Sequence, residues 1–370
     1  MTEHVAEYLS SGPSFREGEV IERIEAFRRR RPRLRDTVVT LAHGAGGKSS
    51  AALVDAVFVE AFRNPHLDSL GDGAVIDLPG GRRIAFSTDS FVVQPLRFPG
   101  GSIGHLAVHG TLNDLAMVGA VPSWLTAAFV LEEGFPIADL KDIVADMASA
   151  ARAASVQIVT GDTKVVPRGA ADGLYITTAG AGLVPAGREL TADKVLPGDR
   201  LLLSGTIGDH GMAVMLARGD LAIEADIESD TASVSGLVES LLAAAPSTRW
   251  LRDPTRGGVG TVCNELAQAS GLAVVLEENR LPVRPEVAGA CEMLGIDPLY
   301  VANEGKFLAV VASDEVDAAL AALRAQPGGG EAIEIGHIAE EPGATVVLRT
   351  AFGGTRIVDM LVGDPLPRIC

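Results

Sequence analysis

From Thr37 to about residue 350, short apolar runs alternate with stretches of helical periodicity, and this alternation limits the fold more than any other feature of the chain. Apolar runs of strand length separated by longer helical patterns specify α/β layers. In the first round the pattern predicts strands at 37–41, 74–78, 83–87, 124–131, 156–160 and 174–184. The second and third of these form a hairpin across Pro79-Gly80-Gly81. Helices are predicted at 49–62, 102–118 and 137–153. Residues 185–198 make a polar bridge, after which a second round begins. It has predicted strands at 200–204, 272–277, 299–302, 307–312, 333–338 and 345–348, and helices at 210–217, 232–245, 258–270, 285–294 and 314–325. The expected division is an N-terminal extension (1–36), a first domain (37–185), a second domain (186–350) and a tail (351–370). Two domains also follow from length, since 370 residues exceed what one small core absorbs.

Composition narrows the function classes. The net charge of −17 makes nucleic acid and membrane surfaces poor partners, and suits acids that hold divalent cations for a polyphosphate. No apolar stretch reaches the roughly 18 residues of a membrane span, and the N-terminus carries no apolar signal region. Cys263, Cys291 and Cys370 have no metal-ligand spacing and cannot make a disulfide framework, so a reducing cytoplasm is expected. In the extension, Val20, Ile24 and Phe27 have helical spacing and precede the basic run Arg28 to Arg31, with Arg33 and Arg35 beyond. A solvated extension is the expectation, with a partner-binding helix as the alternative.

Several motifs carry chemistry. His43-Gly44-Ala45-Gly46-Gly47-Lys48-Ser49 lies between a predicted strand and helix; it falls short of a P-loop because position 42 is Ala. Such a turn cradles a phosphate with backbone N–H groups, or simply turns the chain; both readings stand on the motif alone. Five acidic segments sit at loops or element ends: Asp72, Asp89, Asp114 (after Asn113), Asp162 (in Gly161-Asp162-Thr163-Lys164) and Asp253 (in Arg252 to Gly258). Singly each is a turn or cap; together they can hold magnesium on a triphosphate. Lys164, after a strand, and Glu304, in Asn303-Glu304-Gly305, can handle protons or make surface ion pairs. His105 and His109 have a spacing that zinc sites use, but no third ligand accompanies them on a helix patterned for a core. Finally, the chain ends Pro367-Arg368-Ile369-Cys370, in a segment with Gly363 and Pro365. A terminal thiol there is expected to have reach and exposure, as a group carrier needs. From Asp359 the tail can extend at most about 36 Å.

Together these residues resemble the HypE family of hydrogenase maturation factors, in the superfamily of aminoimidazole ribonucleotide synthetase, selenophosphate synthetase and thiamine-monophosphate kinase. The resemblance rests on 43–48, 87–103, 106–120, 161–164, 253–258, 303–305 and the terminal 367–370, and covers residue 37 to the end. It implies a two-domain α/β (α+β) synthetase-like fold whose first domain dimerises through its strands, with the ATP site near the subunit interface and a flexible tail. It implies that the carbamoyltransferase HypF loads Cys370 and that ATP and Mg²⁺ drive dehydration of the S-carboxamide to a thiocyanate. The cyanide then passes to a HypC–HypD complex for nickel–iron hydrogenase. Carried over by position, Asp72, Asp89, Asp114 and Asp253 are expected at metal and ATP. His43, Gly44, Gly46, Gly47, Lys48, Asn113, Asp162 and Thr163 are expected at the nucleotide, and Lys164 and Glu304 at proton handling with Cys370. The rivals are a small-molecule ATP-dependent synthetase or kinase with Cys370 idle, and a non-catalytic maturation scaffold.

Overall fold

The computed structural model describes residues 33–67, 70–219, 225–361, 363 and 368–370. The apolar and basic positions expected of the extension before Arg33, and Pro365 and Pro367 of the tail, lie outside the described residues. No helix among the described residues is long and apolar enough to cross a membrane.

The first half is built on a five-stranded sheet ordered β1-β2-β7-β5-β6. Its strands are β1 (Ala74–Leu78), β2 (Arg82–Phe91), β5 (Val121–Glu132), β6 (Gln157–Val166) and β7 (Leu174–Val184); β3 (Arg97–Phe98) and β4 (Gly101–Ser102) make a small ribbon. Only β5 and β6 pair in parallel, and the helix Ile137–Ala153 makes their crossover. Along β7 buried and less buried residues alternate, so one face carries Leu174, Ile176 and Thr178 into the core. The helix Ile103–Met117 lies across that face, almost wholly buried. Thr111 Oγ1 sits 2.6 Å from Thr178 Oγ1, which donates to the Ala107 carbonyl, so the polar atoms of this tight contact are satisfied. β6 contrasts with this, being exposed along nearly its whole length.

The second half is a seven-stranded sheet ordered β14-β13-β10-β12-β8-β11-β9. Its strands are β8 (Arg200–Leu203), β9 (Trp250–Arg252), β10 (Ala273–Glu277), β11 (Leu308–Val311), β12 (Ile333–Ala339), β13 (Val346–Arg349) and β14 (Thr355–Val358). β8 and β11 are apolar on both faces because both faces are covered. Leu201, Leu203, Leu308 and Val310 pack on the helix Gly258–Ser270. Leu202, Ala309 and Val311 face the helices Ser235–Ala244 and Val316–Arg324, and Ala116 and Met117 from the first half join that layer. The halves also share a core in which Phe91, Leu106 and Ile176 meet Met212, Val287, Ala302 and the penultimate residue, Ile369.

Local readings failed where the partner decides the structure. Residues 37–41 pair with no strand; Val38 and Val39 are exposed, and a 3-10 turn (Leu41–Gly44) follows. β-branched residues favour a strand only where an edge is offered. Residues 299–302 are not a strand either: Pro298–Tyr300 is a 3-10 turn, capped by the Asp297 carboxylate accepting from Leu299 N–H. β6 runs past residue 160, so residues 161–164 lie within a strand. The second sheet continues beyond residue 350, because β14 pairs with β13.

Candidate active site

Four elements deliver carboxylates to one place at the seam between the halves. Asp72 precedes β1, Asp89 lies on β2, Asp114 on the last turn of Ile103–Met117, and Asp253 follows β9. Oxygens of Asp72, Asp114 and Asp253 all lie within 4.8 Å of one another. Burial pushes each carboxyl up, and mutual repulsion adds to it: Asp72 and Asp114 rise well above the usual range, and Asp253 to about 7. Burial raises Asp89 as well, opposed by Arg256. Arg252 offsets part of the crowding, holding Asp72 at 2.9 Å and Glu265 at 3.0 Å, and Ser87 Oγ donates to Asp114 Oδ2 at 2.5 Å. Asp253 Oδ2 is buried with no hydrogen-bond partner. Crowded, oxygen-only donors with an orphaned buried carboxylate oxygen fit a hard divalent cation.

Glu304 lies beside this cluster and is buried. Its N–H donates to Asp230 Oδ1 (3.0 Å) and its carbonyl accepts from Asn113 Nδ2 (3.2 Å). The close approach requires Gly305, where a Cβ would stand 1.9 Å from the Asp230 carbonyl oxygen. Burial raises the Glu304 carboxyl well above its ordinary range, with Asp253, Asp89 and Asp230 adding and Arg256 opposing. Both donated hydrogen bonds of Asn113 go to chain carbonyls, Ala232 and Glu304, and Oδ1 accepts from Val234 N–H. Asn113 is therefore a brace that fixes Glu304.

The glycine-rich turn is fastened over the second half. A Cβ on Gly47 would meet the Leu361 carbonyl oxygen at 2.2 Å, and one on Gly46 the Arg256 carbonyl oxygen at 2.8 Å. Lys48 N–H donates to that Leu361 carbonyl (2.9 Å), and its Nζ pairs with Asp359 at 2.7 Å. His43 is buried, with Nδ1 at Thr40 and Nε2 3.3 Å from Asp36. Arg256 reaches the Gly44 carbonyl at 3.4 Å. Its guanidinium is stabilised most by Cys370, then by Asp89, Glu304 and Asp114, against the cost of burial. Cys370 thus lies in the field of the same arginine as the acids.

The tail does not end freely. Ile369 is 2% exposed, and Cys370 itself is partly buried. The expectation of a fully exposed terminal thiol gives way because Ile369 anchors the last residues in the shared core.

Asp162, Thr163 and Lys164 are not brought to the cluster within one chain. Asp89, Thr178, Ala127 and Gly161 are in register across β2, β7, β5 and β6, so this segment lies three strand spacings, about 14 Å, from Asp89. There Lys164 pairs with Asp162 at 2.9 Å, both side chains exposed, and Thr163 N–H donates to Asp162 Oδ1. Residues without an assigned role in the sequence reading hold the site together: Arg252, Arg256, Glu265, Ser87, Asp230 and Lys306, whose Nζ is 3.5 Å from Asp230. Arg252 and Arg256 flank Asp253 within one motif, a signal that was available; Asp230 and Lys306 act only through the fold.

The sequence matches the AIR synthase related protein N-terminal domain over residues 70–184 and the corresponding C-terminal domain over 197–349. It is 54% identical over 340 residues to the carbamoyl dehydratase HypE of Rhodobacter capsulatus, covering 91% of this chain and 99% of that one. A solved HypE–HypF complex superposes with a TM-score of 0.80 at 47% identity, covering 84% of this chain and 100% of that chain. A HypE structure in complex with ATP gives 0.75 at 45% identity, covering 90% and 100%. The two-domain architecture, the seam of carboxylates and these likenesses agree: the chain belongs to the HypE family of carbamoyl dehydratases, within the AIR synthase related proteins.

Proposed function

We propose that this chain dehydrates an S-carboxamide carried on its own Cys370 to an S-cyanate, using ATP, in the assembly of nickel–iron hydrogenase. The observation that carries the reading is the inward tail: Ile369 is buried in the shared core, and the last residue lies in the field of Arg256, the arginine that also faces Asp89, Glu304 and Asp114. An idle terminal cysteine in a small-molecule kinase gives no reason for that placement, so the carrier reading is preferred.

The chemistry balances as R–S–C(O)NH₂ + ATP → R–S–C≡N + ADP + Pi. The carboxamide oxygen takes the γ-phosphoryl group and then departs as phosphate, while the nitrogen gives up its protons. Asp72, Asp114 and Asp253, with Asp89, would hold Mg²⁺, which when bound supplies charge neutralisation for the triphosphate. Arg256 offsets charge at the transferred group, and the glycine-rich turn closes over it. Glu304, buried next to the charge of Arg256, is the proposed base that takes a proton from nitrogen.

Lys164 and Asp162 reach the site from a second subunit in this reading. β6 is a strand edge with exposed apolar Ile158, Val159 and Val165, and Phe86, Trp124 and Leu183 are exposed on the same sheet. An edge of this kind calls for a covering partner, and a homodimer supplies it. The relative's complex with HypF supports HypF as the donor that loads Cys370; a HypC–HypD complex is the proposed cyanide acceptor. A reducing cytoplasm would keep Cys370 a thiol. The test is stoichiometric: with carbamoylated chain and Mg-ATP, phosphate release should equal the carbamoyl groups loaded, and Cys370→Ser should release none. Phosphate release independent of Cys370 would favour the small-molecule kinase.

A further inference from the structure

The last three residues lie in a built receptor. Val92 N–H donates to the Cys370 carbonyl (3.1 Å) and Gln94 N–H to the Arg368 carbonyl (3.4 Å), so two-residue steps on one segment meet two-residue steps on the other, antiparallel. Between them the Ile369 carbonyl lies 3.0 Å from His210 Nε2. A carbonyl only accepts, so Nε2 carries the hydrogen and Nδ1 accepts from Ser229 Oγ at 2.8 Å; Thr231 N–H in turn donates to that hydroxyl. His210 is fully buried, with its ring edge-on to Phe98 at 5.5 Å. Arg218 ties both segments, with Nε donating to the Gln94 carbonyl (2.9 Å) and a terminal nitrogen to the Arg368 carbonyl (2.8 Å). Arg368 returns the contact to the Val92 carbonyl (3.2 Å) and pairs with Asp172. It holds φ at +55°, in the left-handed region that a non-glycine residue leaves unless surroundings impose it. Ile369 fills the shared core.

We infer that His210, Arg218 and residues 92–94 form a dock for the carboxy-terminal tripeptide, with His210 and Arg218 as positioning residues that set where the Cys370 sulfur stands. Main-chain hydrogen bonds give the tail a register, and the Ile369 pocket gives the register its phase, as in strand addition to a protein edge. A shift by one residue would remove Ile369 from the core and move the sulfur by about 3.3 Å, enough to disable a transfer that depends on near-contact geometry. The inference rests on the carrier reading only for its catalytic consequence; the dock itself does not.

The test uses the full-length chain with Arg218→Ala and Ile369→Gly, and Ile369→Val as the conservative variant. Two rates are read by intact mass: alkylation of Cys370 by iodoacetamide, and single-turnover dehydration of carbamoylated protein at saturating ATP. Expected are several-fold faster alkylation and roughly ten- to a hundredfold slower dehydration in Arg218→Ala and Ile369→Gly. The KM for ATP should not change, and Ile369→Val should stay near wild type. Wild-type values of both rates in both variants would overturn the dock. So would slowed dehydration accompanied by alkylation of the buried Cys263 and Cys291, which would mark general unfolding. If wild-type carbamoylated chain loses no water at all, the functional reading fails, while the alkylation rates still decide the dock.

Discussion

At Asp253 one carboxylate shows the tension that the site is built on. Its oxygen Oδ2 is buried without a partner, and its carboxyl is raised to about 7 by burial and by its neighbours. Crowded buried acids destabilise the fold, a common trade of stability for function, and the proposed cation would relieve that crowding. The pH dependence follows. An unfolded aspartate titrates near 3.9, so between about 4 and 7 the folded form holds a proton that the unfolded form has lost. Through Asp253 the metal-free chain therefore loses stability as pH rises through that window, a loss complete above about 7, and the raised carboxyls of Asp72, Asp114 and Glu304 add losses in the same direction. Thermal melts in chelator should show this loss, and Asp253→Asn should flatten it and add about 1 kcal/mol of stability near neutrality. If Asp253 holds the proposed cation, the same variant should lower ATP-dependent dehydration at least about 100-fold. A more stable variant with unchanged turnover would separate Asp253 from the metal. The cost of adding a single methyl tests the turn above: Gly47→Ala places a Cβ 2.2 Å from the Leu361 carbonyl oxygen, and should weaken ATP binding in calorimetry while the fold persists.

Elements that carry their own apolar pattern were legible, and those that depend on a neighbour were not. The helices Ile137–Ala153, Gly258–Ser270 and Pro285–Leu294 and strand β7 stand where periodicity put them, because each carries its own pattern of apolar residues and its own end signals. Residues 37–41 and 299–302 have strand-forming side chains but no strand beside them. The motifs singled out Asp72, Asp114 and Asp253 as candidates for chemistry; their convergence needed the seam between two sheets. Lys164 marks the limit, since its place depends on what covers β6. The dimer reading makes a reciprocal prediction there. Lys164→Ala and Asp253→Asn should each be inactive as homodimers. Co-folded mixtures should regain activity, with random reassortment restoring about a quarter of the sites. No recovery in a mixture shown by mass to contain heterodimer would mean that Lys164 serves its own chain or none. Val159→Lys, on the exposed strand edge, should shift the chain to monomer in light scattering and abolish dehydration.

Across the whole molecule, the last residues close a loop through both halves. Ile369 packs with Phe91 and Ile176 of the first half and Met212 and Ala302 of the second, and Arg256 links the last residue to the acids and to the glycine-rich turn. The most direct measurement is intact mass of wild type and Cys370→Ala after incubation with the carbamoyltransferase, its substrates and Mg-ATP. A carbamoyl gain on wild type alone, losing one water only when ATP and magnesium are both present, is the predicted result. Identical masses for the two proteins, or a carbamoyl gain that never loses water, would contradict a dehydratase acting on its own terminal cysteine.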